Sequence, residues 1–224
     1  MTVYLYSGCP GSGKSLHLAD VLLRTLDSGC PVIANFDVNR DMLASSALFL
    51  QLDNCDMSPD KLEGFAYWYW SRDDAPEFQE DWLTLVIDEA QIILNCRGWD
   101  SSSRAAWIRF FTLHRKLGYK ILISSQFLEM IDMPIRDSCI EVEVKHFKMN
   151  NFGIAGALID RLVLHGRPWV RYGIYWYKKD KRAIETSNLL GSQRLYDFYD
   201  TRKVFDSSDV DSSLDTSWFL PQLC

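Results

Sequence analysis

The sequence predicts an α/β fold, a parallel sheet covered by helices with a small antiparallel β extension, and three observations carry that reading. Short apolar runs alternate with helical segments from Val3 to Ser125, the order of β-α-β units, whose strands pair in parallel because each crossover is long. The segment "GCPGSGKS", Gly8 to Ser15, lies between the first apolar run and the first helix and fits G-x-x-x-x-G-K-S/T, in the strand–loop–helix setting that this motif needs. Beyond Cys139 the apolar positions alternate by two, as in strands with one exposed face.

Taken in order, Val3 to Tyr6 is a buried strand, and the amphipathic helix from Ser15 to about Asp27 ends at the stop signal Ser28-Gly29. Pro31 to Phe36 returns as the second strand. A polar and helical stretch is expected over Arg40 to Leu52 and again from Pro59 to about Ser71. The second part contains "FAYWYW", which reads as core rather than as a surface for stacking bases. Leu83 to Ile87 is the next strand. A helix from about Ser103 to Leu117 carries Ala106, Trp107, Phe110, Phe111 and Leu113 near a 3.6 period and stops at Gly118, and Tyr119 to Ser125 is a further buried strand. Cys139 to Phe147 and Trp169 to Lys178 are expected to pair antiparallel as an appendage, joined by an excursion over Asn150 to Arg167. Residues 1–148 thus form the core, 149–205 a β-rich extension of the same domain, and 206–224 an acidic, Ser-rich, solvated tail. No internal repeat is present.

With 47% apolar and 24% charged side chains, the chain has the make-up of a folded domain rather than a disordered one. Lys plus Arg number 24 against 30 Asp plus Glu, and the net charge of −6 gives no global pull on nucleic acid. Any DNA contact must come from a local patch, of which "YWYKKDKR" (Tyr175 to Arg182) is the candidate, or from a ring of subunits. The six cysteines lack C-x-x-C spacing, which argues against a zinc site and a disulfide framework and fits a reducing compartment. No run approaches the ~18 apolar residues of a membrane-spanning helix, and "MTVYLYSG" is no signal peptide. A soluble, cytoplasmic chain is expected.

The glycine loop carries the first chemistry. Backbone N–H groups and the positive end of the following helix would hold phosphates along Gly8, Pro10, Gly11, Ser12, Gly13, Lys14 and Ser15. The glycines admit close or left-handed backbone, and Pro10 gives up a donor but stiffens the loop. Lys14 would reach the β- and γ-phosphates of ATP, and Ser15 would give its hydroxyl to Mg²⁺. "LTLVIDEAQ" closes a buried strand with acids. Asp88 would hold Mg²⁺ through water, and Glu89 would orient or deprotonate the attacking water; the competing reading is a cap for a following helix. Gln126, with Ser125, ends the strand "ILISS" where an enzyme with an extra strand between its motif strands faces the γ-phosphate. Arg115 and Arg136 are candidates for an arginine offered to a neighbouring subunit's nucleotide, with Arg104 and Arg109 on the same helix as the former. His114 has no partner at metal-ligand spacing and receives no role.

Together, "GCPGSGKS", "VIDEAQ", "FFTLHRKLGYKILISSQ" and "IDMPIRDSCIEVEV" resemble the zonula occludens toxin-like (Zot) family, the assembly ATPases of filamentous phages. The likeness spans roughly Thr2 to Lys148, and "HRKLGYKILISSQ" also looks like the corresponding segment of the DNA-pumping ring ATPases. The resemblance implies a RecA-like, Mg²⁺-dependent ATPase acting as a homo-oligomeric ring at the cytoplasmic side of the host inner membrane. It would drive export and coating of single-stranded phage DNA together with membrane-embedded assembly proteins. Carried over residue by residue, Lys14 and Ser15 bind nucleotide and Mg²⁺, Asp88 and Glu89 are the acidic pair, Gln126 is the sensor and Arg115 the trans-acting arginine. Family members usually continue into a transmembrane helix and an extracytoplasmic tail, and residues 1–224 reach neither, as expected of a fragment of a longer protein or of a soluble relative whose membrane contact another protein makes. Two other readings stay open: a nucleoside or nucleotide kinase, which would want arginines closing over a phosphate acceptor, and a nucleotide-dependent scaffold with little hydrolysis.

Overall fold

A computed structural model describes residues 3–44, 46–95, 101–148, 169–179 and 182–199. Strand β1 (Val3–Ser7) leads through the glycine loop into α1 (Lys14–Asp27), and the chain returns as β2 (Val32–Ala34). Strand β3 (Phe49–Gln51) precedes α2 (Pro59–Trp70). That helix starts where the Ser58 hydroxyl accepts the Lys61 backbone N–H at 3.4 Å, with Pro59 in the first turn where no N–H is missed. Strand β4 (Leu83–Ile87), α3 (Ser101–Leu113) and β5 (Tyr119–Ser125) follow, and the 3₁₀ turn His114–Leu117 joins the last two. After the 3₁₀ turn Leu128–Met130 and the π-helical turn Ile135–Cys139 come strands β6 (Ile140–Lys148), β7 (Trp169–Trp176) and β8 (Glu185–Leu190) and the short helix α4 (Gln193–Phe198).

The strands make one eight-stranded sheet in the order β3-β2-β4-β5-β1-β6-β7-β8. Pairings from β3 through β6 are parallel, and β7 and β8 run antiparallel. Alternation along each strand fills two cores. Leu83, Leu85, Ile87, Ile121 and Ile123 pack against Leu62 and Phe65 of α2 and Trp107 and Phe110 of α3. Val86 and Leu122 point the other way, to Leu18 and Leu22 of α1 and Phe198 of α4. Of the "FAYWYW" aromatics, Phe65 and Tyr69 are buried in the first core, Trp68 and Trp70 pack against it with the Trp70 indole donating to Leu117 O at 2.9 Å, and Tyr67 is exposed.

Arg40 to Leu52 is not the helical stretch its polarity predicts. Arg40–Met42 is a single 3₁₀ turn, and residues 49–51 are extended along the sheet edge. Strand β2 imposes this: the Val32 N–H donates to Leu48 O and the Leu52 N–H to Ala34 O, each at 2.9 Å, and the alternation buries Leu50 and Leu52. The segment starting at Cys139 is not an appendage either. Strand β6 pairs antiparallel with β7, as its pattern predicts, but also parallel with β1 inside the main sheet. Strand β8 and helix α4 were not foreseen from the sequence. The expected excursion between β6 and β7 and the expected acidic tail lie outside the described residues. Among the described residues no helix is long and apolar enough to cross a membrane.

Candidate functional site

Strand β1 delivers the chain to Gly8 beside β6 and β7, which explains two of the loop glycines. Gly8 has φ +144°, and a Cβ there would stand 2.8 Å from the His146 carbonyl oxygen of β6. Gly13, the residue before α1, has φ +95°, and its Cβ would stand 2.2 Å from Cγ2 of Val170 in β7. Between them the Ser12 N–H donates to Cys9 O at 3.1 Å. Behind the loop His146 donates from Nδ1 to Ser7 O at 3.1 Å. Its Nε2 is therefore the acceptor for His17 Nδ1–H of α1, 2.9 Å away. Burial holds the His146 imidazolium down to about 4 and that of His17 to about 3, so both rings are neutral supports.

Lys14 is 5% exposed, and its ammonium donates to Gly8 O at 2.9 Å and Cys9 O at 3.3 Å. Burial pushes its pKa down while Glu89 and Asp88 pull it up. The Ser15 hydroxyl donates to Asp88 Oδ2 at 2.8 Å. A hydroxyl and a carboxylate brought together beside a phosphate-type loop are the hard oxygen donors that Mg²⁺ prefers, so Ser15 and Asp88 fit that ion.

The end of β4 is held from several directions. Asn35, just past β2, accepts the Asp88 N–H at 2.7 Å and donates to the Asp88 carbonyl at 2.8 Å. Asp88 Oδ1 accepts from Ser124 Oγ and from the Glu89 N–H, and Oδ2 also accepts from the Tyr199 hydroxyl at 3.2 Å. Glu89 takes the left-handed backbone conformation, φ +50°, uncommon for a residue with a side chain. Its N–H also donates to Ser124 Oγ at 3.0 Å. Its two carboxylate oxygens each accept a glutamine amide, Oε1 from Gln126 and Oε2 from Gln91 at 2.5 Å.

Lys14, Ser15, Asp88, Glu89 and Gln126 are thus assembled at the C-terminal ends of β1, β4 and β5, where open parallel sheets bind ligands. Strand β5 does lie between the two motif strands. Arg115 is not part of this group. It sits exposed in the turn before β5, so the seven residues of that strand put it about 20 Å away along the sheet, and it makes no ion pair among the described residues. Arg136 pairs with Asp137 and Arg104 with Asp132, each at 2.9 Å, and Arg109 with Glu63 at 2.7 Å. His114 is a packed histidine whose Nδ1 donates to Phe111 O at 2.6 Å. Lys178 in the basic patch is tied to Asp137 at 2.5 Å. Sequence reasoning missed Asn35, Ser124, Gln91 and Tyr199. Asn35 carried a usable signal, a polar residue closing an apolar strand at the same edge as Asp88; Tyr199 carried none.

A glycine loop entering a helix, an acid pair two strands over, and a polar-ended strand between them define a RecA-like P-loop NTPase fold. Residues 2–183 match the family model for zonular occludens toxin (Zot), and the chain belongs to the Zot family. It is 27% identical over 230 residues to the gene 1 protein of Enterobacteria phage fd, covering all of this chain and 65% of that protein. It therefore spans less than two thirds of that relative's length. Among solved structures, the N-terminal domain of zonular occludens toxin from Neisseria meningitidis superposes with TM-score 0.52 at 16% identity, over 88% of this chain and 98% of that one. The DNA-packaging ATPase of Sulfolobus turreted icosahedral virus gives TM-score 0.50 at 14% identity, over 84% and 96%. At these identities the two structures speak for the fold.

Proposed function

We propose that the chain is a Mg²⁺-dependent ATP hydrolase that works as a homo-oligomer in filamentous-phage assembly, moving single-stranded phage DNA or its coating protein at the cytoplasmic side of the host inner membrane. The observation that carries the hydrolase reading is the convergence of Lys14, the Ser15–Asp88 pair and Glu89 on one sheet edge. Lys14, released from its own loop, reaches the γ-phosphate, and the loop N–H groups hold the β-phosphate. Ser15 and Asp88 would hold Mg²⁺, which would supply charge neutralisation to the phosphates. Glu89 takes a proton from the attacking water, and Gln126 senses the γ-phosphate. Asp88 and Glu89, adjacent at the end of β4, offer one carboxylate for the metal and one for the attacking water, which favours hydrolysis over a kinase. Membership of the Zot family supports the assembly role, with membrane-embedded assembly proteins as partners, and Arg115 is the arginine offered to a neighbour.

The test is ATP hydrolysis across protein concentration, with and without single-stranded DNA, and with Arg115→Ala mixed into wild type. A rate per subunit that rises with concentration and falls more than in proportion on mixing is expected for a shared site. Lys14→Ala should abolish hydrolysis, and Glu89→Gln should bind ATP but turn it over slowly. A flat, DNA-insensitive rate would overturn the motor, and an active Glu89→Gln would remove the base.

A further inference from the structure

We propose that Gln91 is a positioning residue for Glu89, anchored through Ser125, and that it divides the work with Gln126. This rests on the reading of Glu89 as the general base. Both glutamines donate to the same carboxylate, yet they are held differently. Gln91 is 9% exposed, and its Oε1 accepts the Ser125 hydroxyl at 2.8 Å. Ser125 Oγ in turn accepts the Phe127 N–H at 3.2 Å, so its proton is directed to Gln91. That direction fixes the amide: its oxygen must face Ser125 and its NH₂ must face Glu89, since the flipped amide would set oxygen against carboxylate. Gln126 is half-exposed and, among the described residues, shows no comparable tether to a second side chain.

One glutamine is thus locked and the other can turn. When Gln126 swings from Glu89 Oε1 toward a γ-phosphate, that oxygen is freed to receive the proton of the attacking water. Gln91 meanwhile keeps hold of Oε2, so the carboxylate stays in place as its second partner leaves. The left-handed backbone of Glu89, pinned by Ser124 Oγ on its N–H, directs the side chain toward this pair. A base displaced by about 1 Å loses on the order of 100-fold in rate, which is the scale Gln91 protects.

The experiment is steady-state ATP hydrolysis and equilibrium binding of a non-hydrolysable ATP analogue for Gln91→Met, which keeps the length and removes the donor, and for Ser125→Ala, which removes only the tether. Gln91→Met should lower kcat by about 10–100-fold and Ser125→Ala by about 3–10-fold, with KM and analogue affinity within two-fold of wild type. In a Glu89→Gln background Gln91→Met should add no further loss, because the group it positions is no longer a base. A kcat near wild type in both single variants, a loss that appears mainly in KM, or an equal extra loss in the Glu89→Gln background would overturn the proposal. Full activity of Glu89→Gln itself would instead overturn the hydrolase reading beneath it.

Discussion

Gly13→Ala paired with Val170→Ala tests whether the antiparallel strands are structural parts of the nucleotide loop. Gly13 sits at φ +95°, where an L-residue is disfavoured by about 1–2 kcal/mol. The new methyl would also stand 2.2 Å from Cγ2 and 3.1 Å from Cγ1 of Val170, a core residue 3% exposed, and overpacking of that kind costs about 1–3 kcal/mol. Gly13→Ala alone should therefore destabilise by about 2–5 kcal/mol. Val170→Ala alone removes two buried methyl groups and should cost about 2 kcal/mol. In the double variant the clashing methyls are gone, and the nearest remaining Val170-derived atom is the Cβ, 3.2 Å away, which a small shift accommodates. The overlap part should then vanish while the backbone part persists. The pair is expected to be more stable than the sum of its parts by about 1–3 kcal/mol. Equilibrium urea unfolding of the four proteins, followed by tryptophan fluorescence, measures this directly. If the two effects add to within about 0.5 kcal/mol, β7 does not bear on the loop and the packing argument is wrong.

Three further outcomes concern buried polar groups around the sheet. The folded state keeps His146 neutral down to about 4 while the unfolded chain binds its proton near 6.5. Stability should fall as pH drops below about 6.5, by up to about 1.4 kcal/mol per pH unit for this ring, and His146→Phe should flatten the pH dependence of the urea midpoint. Asn35→Ala leaves the buried N–H and C=O of Asp88 without side-chain partners and should cost about 2–4 kcal/mol in urea unfolding; a loss under about 0.5 kcal/mol would mean that water replaces it. Arg104→Ala strips a half-exposed cation from Asp132, which is 1% exposed, and should cost about 1–2 kcal/mol after solvent screening of the arginine. Its melting temperature should therefore drop, and an unchanged one would show the pair to be idle.

The parts of the site legible in the sequence are those whose chemistry restricts the residue type. Only glycine fits where Gly8 and Gly13 meet β6 and β7, only an acid can serve at the end of β4, and a polar end to β5 stands out because the strand is otherwise apolar. The parts that were not legible use common residue types at unmarked spacing. Gln91 and Asn35 act through hydrogen bonds that any amide can make, and Tyr199 reaches Asp88 from 111 positions away in sequence. The three residues of β3 carry too little pattern to outweigh their polar surroundings until β2 offers them partners. Arg115 belongs to a different class, since its expected role needs a neighbouring chain.

The misread segment bears most on function. Alternation by two in Ile140–Lys148 reports correctly that one face of the strand is exposed, and it says nothing about which strand lies alongside. In the sheet that neighbour is β1, so the residues that looked peripheral become the floor of the nucleotide loop: His146 supports Ser7 and His17, its carbonyl excludes a side chain at Gly8, and Val170 excludes one at Gly13. In a motor, a loop braced this way on β6 and β7 would be a path for force. Movement of bound phosphates that shifted Gly8 or Gly13 would press on His146 and Val170, and a load on those strands would press back on the loop. For an ATPase that couples hydrolysis to mechanical work, such a load path is a structural requirement. If it operates here, Val170→Ala should reduce the DNA-stimulated part of ATP hydrolysis more than the basal part. Equal reduction of both would show that β7 supports the fold without coupling it to work.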